Sequence, residues 1–187
     1  MPQSDPGQPP LSPVQGLDGV TLVLGGARSG KSRYAESLLA RLPGRRTYLA
    51  TGHAGDAEMA ERIRRHRAER GAGWATLETP IAIAEAIRGE PGPILVDCLT
   101  LWVSNLMSAE ADPDEAVERL AAAARRPGGP VIFVSNEVGL GIVPDNRLAR
   151  AFRDHAGRVN QRIAAVADRV LFIAAGLPLT LKGNLPQ

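Results

Sequence analysis

The chain has 187 residues, 44% of them hydrophobic and 22% charged, with a net charge of +2 and a pI near 9.1. That is one domain's length with room for a real core, and the small net charge argues against a basic stripe for nucleic acid. A single cysteine, Cys98, excludes an internal disulfide, and no apolar run approaches the ~18 residues of a membrane span.

Residues 1–18 contain five prolines, two glycines and few large apolar side chains. Such a segment buries too little surface to offset its ordering entropy, so it is expected to be a disordered leader ahead of one catalytic domain over 19–187. No basic stretch followed by an apolar one marks a signal peptide, and together with the lone thiol this points to the cytoplasm.

The apolar run Val20-Thr21-Leu22-Val23-Leu24 predicts a buried strand, and residues 33–40 a helix. Between them lies Gly25-Gly26-Ala27-Arg28-Ser29-Gly30-Lys31-Ser32. Two glycines four residues apart followed by Lys-Ser form the phosphate-binding loop pattern. Glycines let successive N–H groups curl inward around anionic oxygens, and the following helix adds its positive dipole end. Lys31 is placed to reach the β- and γ-phosphates of a nucleotide, and the Ser32 hydroxyl to hold magnesium. The chain has only two lysines among its 22 basic residues, and one of them stands here.

Residues 45–52 read as a short strand running into a loop. Over 56–70 a helix is expected, with Asp56 as N-cap, Met59 and Ile63 as an apolar i, i+4 pair, and Gly71 at the C-cap position. Along it Glu58, Arg62, His66 and Arg70 form an i, i+4 row flanked by Arg65, Arg67 and Glu69. Arginine crowding disfavours imidazolium, which would leave His66 a neutral nucleophile among groups suited to polyphosphate. The alternative is a solvated charged face that happens to carry one histidine. His53 and His155 have no comparable surroundings and are read as surface or loop histidines.

Residues 74–78 predict a strand and 81–88 a short helix. The run 93–97 is a buried strand ending in Asp97, which either organises magnesium or caps the helix that follows. Helices are expected over 99–109 and 113–126, a buried strand over 131–135, a loop over 136–141 and a long amphipathic helix over 147–167. Strands over 169–174 and 177–182, separated by a turn at Gly176-Leu177-Pro178, complete the chain, which has no internal repeat. Strands alternating with helices after a phosphate loop predict a P-loop NTPase-like (RecA-like) α/β fold, a mostly parallel sheet with helices on both faces.

Several stretches resemble the bifunctional adenosylcobinamide kinase/adenosylcobinamide-phosphate guanylyltransferase family of cobalamin biosynthesis. They are the phosphate loop with Arg33, then Tyr48-Leu49-Ala50-Thr51, Glu58-Met59, Arg62-Ile63, His66-Arg67, and Trp74 with Thr76 and Glu78. The segments 135–144, 146–150 and 157–161 are similar throughout, and the likeness spans about residues 20–182. It implies transfer of a γ-phosphoryl group from ATP or GTP to adenosylcobinamide. It further implies transfer of GMP from GTP to adenosylcobinamide phosphate through a GMP-histidine intermediate, which the His-Arg match assigns to His66. Nucleotide contacts are implied for residues 25–32, for Ala50, Thr51 and Gly52, for Arg67, Ala68, Glu69 and Arg70, and for Glu78 and Asp97. Magnesium is implied at Ser32 and Asp97, no tightly bound organic cofactor is expected, and a homo-oligomer, a trimer, is the family expectation. Two departures stand out: Arg65 replaces the first histidine of a pair found in some members, and Asp97 stands where a longer Glu can occur.

Overall fold

The computed structural model describes residues 17–52, 64, 70, 73–125 and 128–186. Seven strands form one sheet: β1 (Val20–Gly25), β2 (Arg46–Ala50), β3 (Trp74–Glu78), β4 (Ile94–Asp97), β5 (Val131–Asn136), β6 (Arg169–Ala174) and β7 (Leu177–Lys182). Among the described residues the helices with assigned bounds are α1 (Lys31–Ala40), α2 (Ile83–Gly89), α3 (Leu99–Ser108), α4 (Pro113–Ala124) and α5 (Arg147–Val166). The strand order is β3-β2-β4-β5-β1-β6-β7, parallel throughout except for β7.

β1 lies inside the sheet between β5 and β6, and every one of its six residues is buried. A strand covered on both faces needs apolar side chains on both, which is why it reads as a continuous run. Its alternation divides the core. Leu22 and Leu24 join Leu49, Val96 and Phe133 under helices α2 to α5, with Trp102, Leu106, Leu120, Val159 and Ile163 as the large partners. Val23 joins Leu95, Ile132, Val134 and Tyr48 on the opposite face, beneath Ala35, Leu38 and Leu39 of α1.

The helix starts follow local chemistry. Asp112 accepts a hydrogen bond from Asp114 N at 2.8 Å with Pro113 at the first helical position, and Asn146 accepts one from Ala149 N at 2.7 Å. The hairpin into β7 turns at Ala175 and Gly176, both with positive φ, rather than at the expected Gly176-Leu177-Pro178. Two positive-φ residues match the twist of antiparallel strands, so the chain reverses there and β7 runs against β6.

Bounds elsewhere shift by one or two residues, with α2 beginning after Ile81 and Ala82 rather than at 81. The expected helix over 56–70 lies outside the described residues apart from Arg64, which is helical and exposed, and Arg70. The expected leader also lies outside them except for Leu17 and Asp18, and these two belong to the fold. Leu17 is 2% exposed in the α1-side core, and the Asp18 carbonyl accepts from Arg169 Nη1 at 2.6 Å.

Candidate functional site

The phosphate loop leaves the carboxyl end of β1 and enters α1 at Lys31. Gly30 sits at φ +94°, in the left-handed region that a Cβ would strain, and Gly25 passes so close to β6 that a Cβ would stand 2.6 Å from the Ile173 carbonyl oxygen. Both glycines are therefore demanded by the backbone path. Arg28, at φ +58°, completes the curl, and Gly176 N donates to Ser29 O at 2.9 Å, tying the loop to the β6–β7 turn. The Lys31 side chain folds back over the loop, is 8% exposed, and donates from Nζ to the Gly26 carbonyl at 3.0 Å. A buried ammonium over a ring of N–H groups at a helix N-terminus is a cradle for phosphate oxygens. Ser32 follows, half-buried on the first helical turn.

The neighbouring strand ends complete the rim. Ala50 is level with Asp97 on one side and with Glu78 on the other, so β2, β3 and β4 bring these residues to one edge. Side chains alternate along a strand, so Asp97 shares the face of Leu95, the face that α1 covers. The Asp97 carboxylate accepts from the Tyr48 hydroxyl, 3.0 Å away at Oδ2. It does not cap a helix: the N-cap of α3 is Cys98. Burial, then the Asp97 charge, holds the Tyr48 phenol far above its ordinary pKa, so it stays a neutral donor. Burial and the same carboxylate push the Cys98 thiol up to about 11. Arg70 brings its guanidinium over the Tyr48 ring, with Cζ 3.5 Å from the centroid.

Thr51, expected to contact the nucleotide, is engaged within the fold. Its side chain is fully buried. Oγ1 donates to Cys98 O and accepts from Cys98 N, both at 2.7 Å, while Thr51 N donates to Asp97 O at 3.1 Å. Asn105 Nδ2 donates to Thr51 O at 2.8 Å. Every polar group of Thr51 is thus spent on holding the end of β4, and with it Asp97, in place. His155, read as a surface or loop histidine, sits on α5 with Nδ1 2.8 Å from Arg158 Nη2 and 3.6 Å from Asp114 Oδ2. That cluster lies on the exposed surface where α5 meets α4.

A second polar network was not singled out in the sequence. Thr100 Oγ1 accepts from Asn136 N at 2.7 Å and pairs with Ser135 Oγ at 3.3 Å, and Asn160 Nδ2 donates to Asn136 O at 3.2 Å. Asn136 is level with Gly25 at the root of the phosphate loop. The network ties α3 and α5 to that root. His66, Arg67, Ala68 and Glu69 lie outside the described residues.

The sequence pattern of the family described as cobinamide kinase / cobinamide phosphate guanyltransferase matches residues 21–181, from β1 through β7. The chain belongs to this family. Two relatives of the kinase/guanyltransferase family illustrate how far the likeness extends. The bifunctional adenosylcobalamin biosynthesis protein CobP of Pseudomonas aeruginosa is 49% identical, over 87% of this chain and 97% of its own length. The CobU protein of Salmonella typhimurium is 45% identical over 86% and 98%. Among solved structures, the flagellar accessory protein FlaH of Methanocaldococcus jannaschii superposes with a TM-score of 0.54 at 13% identity, covering 92% of this chain and 80% of that one. That likeness concerns the fold, which is that of P-loop NTPases. The kinase/guanyltransferase chain therefore sets its family motifs on the loop, strand ends and sheet edge just described.

Proposed function

We propose that the protein phosphorylates adenosylcobinamide with ATP or GTP and then transfers GMP from GTP to the product, giving adenosylcobinamide-GDP and pyrophosphate. The observation that carries this reading is the family match over residues 21–181 onto a chain whose phosphate loop is folded and backed by a buried Lys31. In the first step the acceptor hydroxyl attacks the γ-phosphorus, and the nucleoside diphosphate leaves. In the second, a ring nitrogen of His66 attacks the α-phosphorus of GTP; the nitrogen–phosphorus bond forms as the α–β bridge breaks and pyrophosphate departs. The phosphate of the corrinoid then attacks the same phosphorus and frees the histidine.

The loop N–H groups, the α1 N-terminus and Lys31 neutralise the triphosphate, which both steps require. Ala50, Gly52, Glu78 and Asp97 supply the rim around the nucleotide, and Arg67, Ala68, Glu69 and Arg70 are the further nucleotide contacts that the family likeness implies. Among the described residues no cluster of three or more carboxylate, histidine or cysteine groups could cage a metal. Magnesium does not ask for one: it takes one or two protein oxygens and fills its shell with water and phosphate. The Ser32 hydroxyl and the Asp97 carboxylate fit that donor set, and the ion would offset charge on the phosphates. No tightly bound organic cofactor is needed.

A homo-oligomer, a trimer, working in the cytoplasm is part of the same reading. The oligomer is supported by apolar surface that a lone subunit leaves to water. Leu177, Leu179 and Leu181 line one face of β7, and Leu140, Ile142 and Val143 follow β5, with Ile142 97% exposed. The test is product analysis. Adenosylcobinamide with ATP, then GTP, should yield first a species heavier by one phosphoryl group and then its GMP adduct with one pyrophosphate released. ATP consumption that ignores the corrinoid would refute the assignment.

A further inference from the structure

We propose that Tyr48 is a positioning residue for guanylyl transfer: its ring is the seat that fixes Arg70 beside Asp97, aimed at the phosphates of GTP. This rests on the proposed function above. Tyr48 is 6% exposed on β2, and its two ends are held by different groups. The hydroxyl donates to Asp97 Oδ2 at 3.0 Å, and the Arg70 guanidinium lies over the ring with Cζ 3.5 Å from the centroid. Donation to a carboxylate enriches the ring in electron density, so tie and seat reinforce one another.

The ring is also clamped from behind. Trp74 meets it edge-on at 6.3 Å and 77°, and Arg46 covers Trp74 with Cζ at 5.8 Å. Arg46 Nη2 in turn donates to Leu42 O at 2.7 Å and Ala40 O at 3.2 Å, where α1 ends. Tyr48 therefore cannot swing away, and a guanidinium resting on it inherits a fixed place.

The second observation concerns Arg70 itself. Its Nη1 is buried without a hydrogen-bond partner. A buried cationic donor left unpaired is costly, and its natural complement is an anionic oxygen. The seat thus holds a donor in reserve on the same ring whose hydroxyl ties the Asp97 carboxylate at the nucleotide rim. Arg70 lies four residues beyond His66 in the chain.

The experiment is a cycle on the full-length protein. Tyr48→Met, Arg70→Ala and the double variant are compared for the rate of protein labelling by α-labelled GTP without corrinoid, for GTP affinity by calorimetry, and for kinase turnover. The seat predicts at least a tenfold slower labelling in Tyr48→Met, with kinase kcat within about threefold of that in Tyr48→Phe, since both variants lose the tie to Asp97. It predicts a double variant within twofold of Arg70→Ala alone, because the ring acts only through the arginine. Tyr48→Phe keeps the ring face and should restore labelling to within about threefold. Multiplying defects, or Tyr48→Phe as damaged as Tyr48→Met, would overturn the seat. If Tyr48→Met does not fold, Tyr48→Leu takes its place. If the wild type takes no label, the GMP-histidine reading falls, and the same cycle read in GTP affinity still decides whether Tyr48 acts through Arg70.

Discussion

Replacing Thr51 with valine isolates the peg that holds the end of β4. Valine keeps the branched shape and volume but deletes the hydroxyl, which donates to Cys98 O and accepts from Cys98 N, each at 2.7 Å. Thr51 is fully buried and Cys98 is 7% exposed, so water cannot take over. The carbonyl keeps a second lone pair, so the main penalty is the stranded Cys98 N–H. A buried donor left unsatisfied costs about 1–3 kcal/mol, and we take about 2 kcal/mol for this variant. In a chain of this size that should lower the melting temperature by about 4–8 °C. Thr51→Ser keeps the hydroxyl and loses only a methyl group, so it should recover more than half of the loss. The assay is urea unfolding of the three proteins side by side, with GTP affinity measured on each below its transition. Because the peg also sets Asp97, Thr51→Val should bind GTP more weakly even where it is fully folded. A valine variant as stable as wild type, or a serine variant no better than valine, would refute the peg.

Other expectations follow from the same geometry. Lys31→Ala should abolish phosphorylation and guanylyl transfer together, since both depend on one cradle; near-normal turnover in either would separate the sites. Removing residues 1–16 should leave melting temperature and both activities within error, whereas extending the deletion through Leu17 should cost stability, because Leu17 is packed in the core. Cys98 should resist thiol reagents at pH 8 in the folded protein and react at once on unfolding. The unfolded thiol loses its proton near 9.0 and the folded one near 11, so stability should decline as pH rises across that interval, and Cys98→Ala should lack that decline. Asp114 is held below its ordinary pKa first by its hydrogen bond from Arg158. Its contribution is present above the unfolded value of about 3.8 and is lost as pH falls through the lowered one, so Asp114→Asn should flatten the acid side of the stability curve slightly.

How much of this was legible in the sequence depended on how local the cause was. The phosphate loop could be read because the same eight residues supply the curl, the charge and the hydroxyl. β1, β4 and β5 could be read because a strand buried on both faces has no choice but to be apolar. Asp97 could be placed at the rim, but its two readings could be separated only by the structure, where Cys98 takes the capping position and Tyr48 takes the carboxylate. The bonds that Thr51 makes were hidden for a similar reason. Its partner lies 47 residues away, and nothing in Ala50-Thr51-Gly52 says that the hydroxyl is already engaged. The seat under Arg70 and the Thr100–Asn136–Asn160 network are likewise products of topology, assembled from strands and helices that the sheet order brings together. β7 was expected as a strand; its direction depended on the Ala175-Gly176 turn, whose two positive φ angles only the folded chain displays.

The measurement that bears most directly on the central claim is incubation of the protein with GTP labelled in the α-phosphate and no corrinoid. The account predicts protein-bound label that survives alkali, breaks in mild acid, and is lost in His66→Ala while much of the kinase activity remains. Label that persists in His66→Ala, or a wild-type protein that transfers GMP to the corrinoid without ever carrying it, would contradict the account.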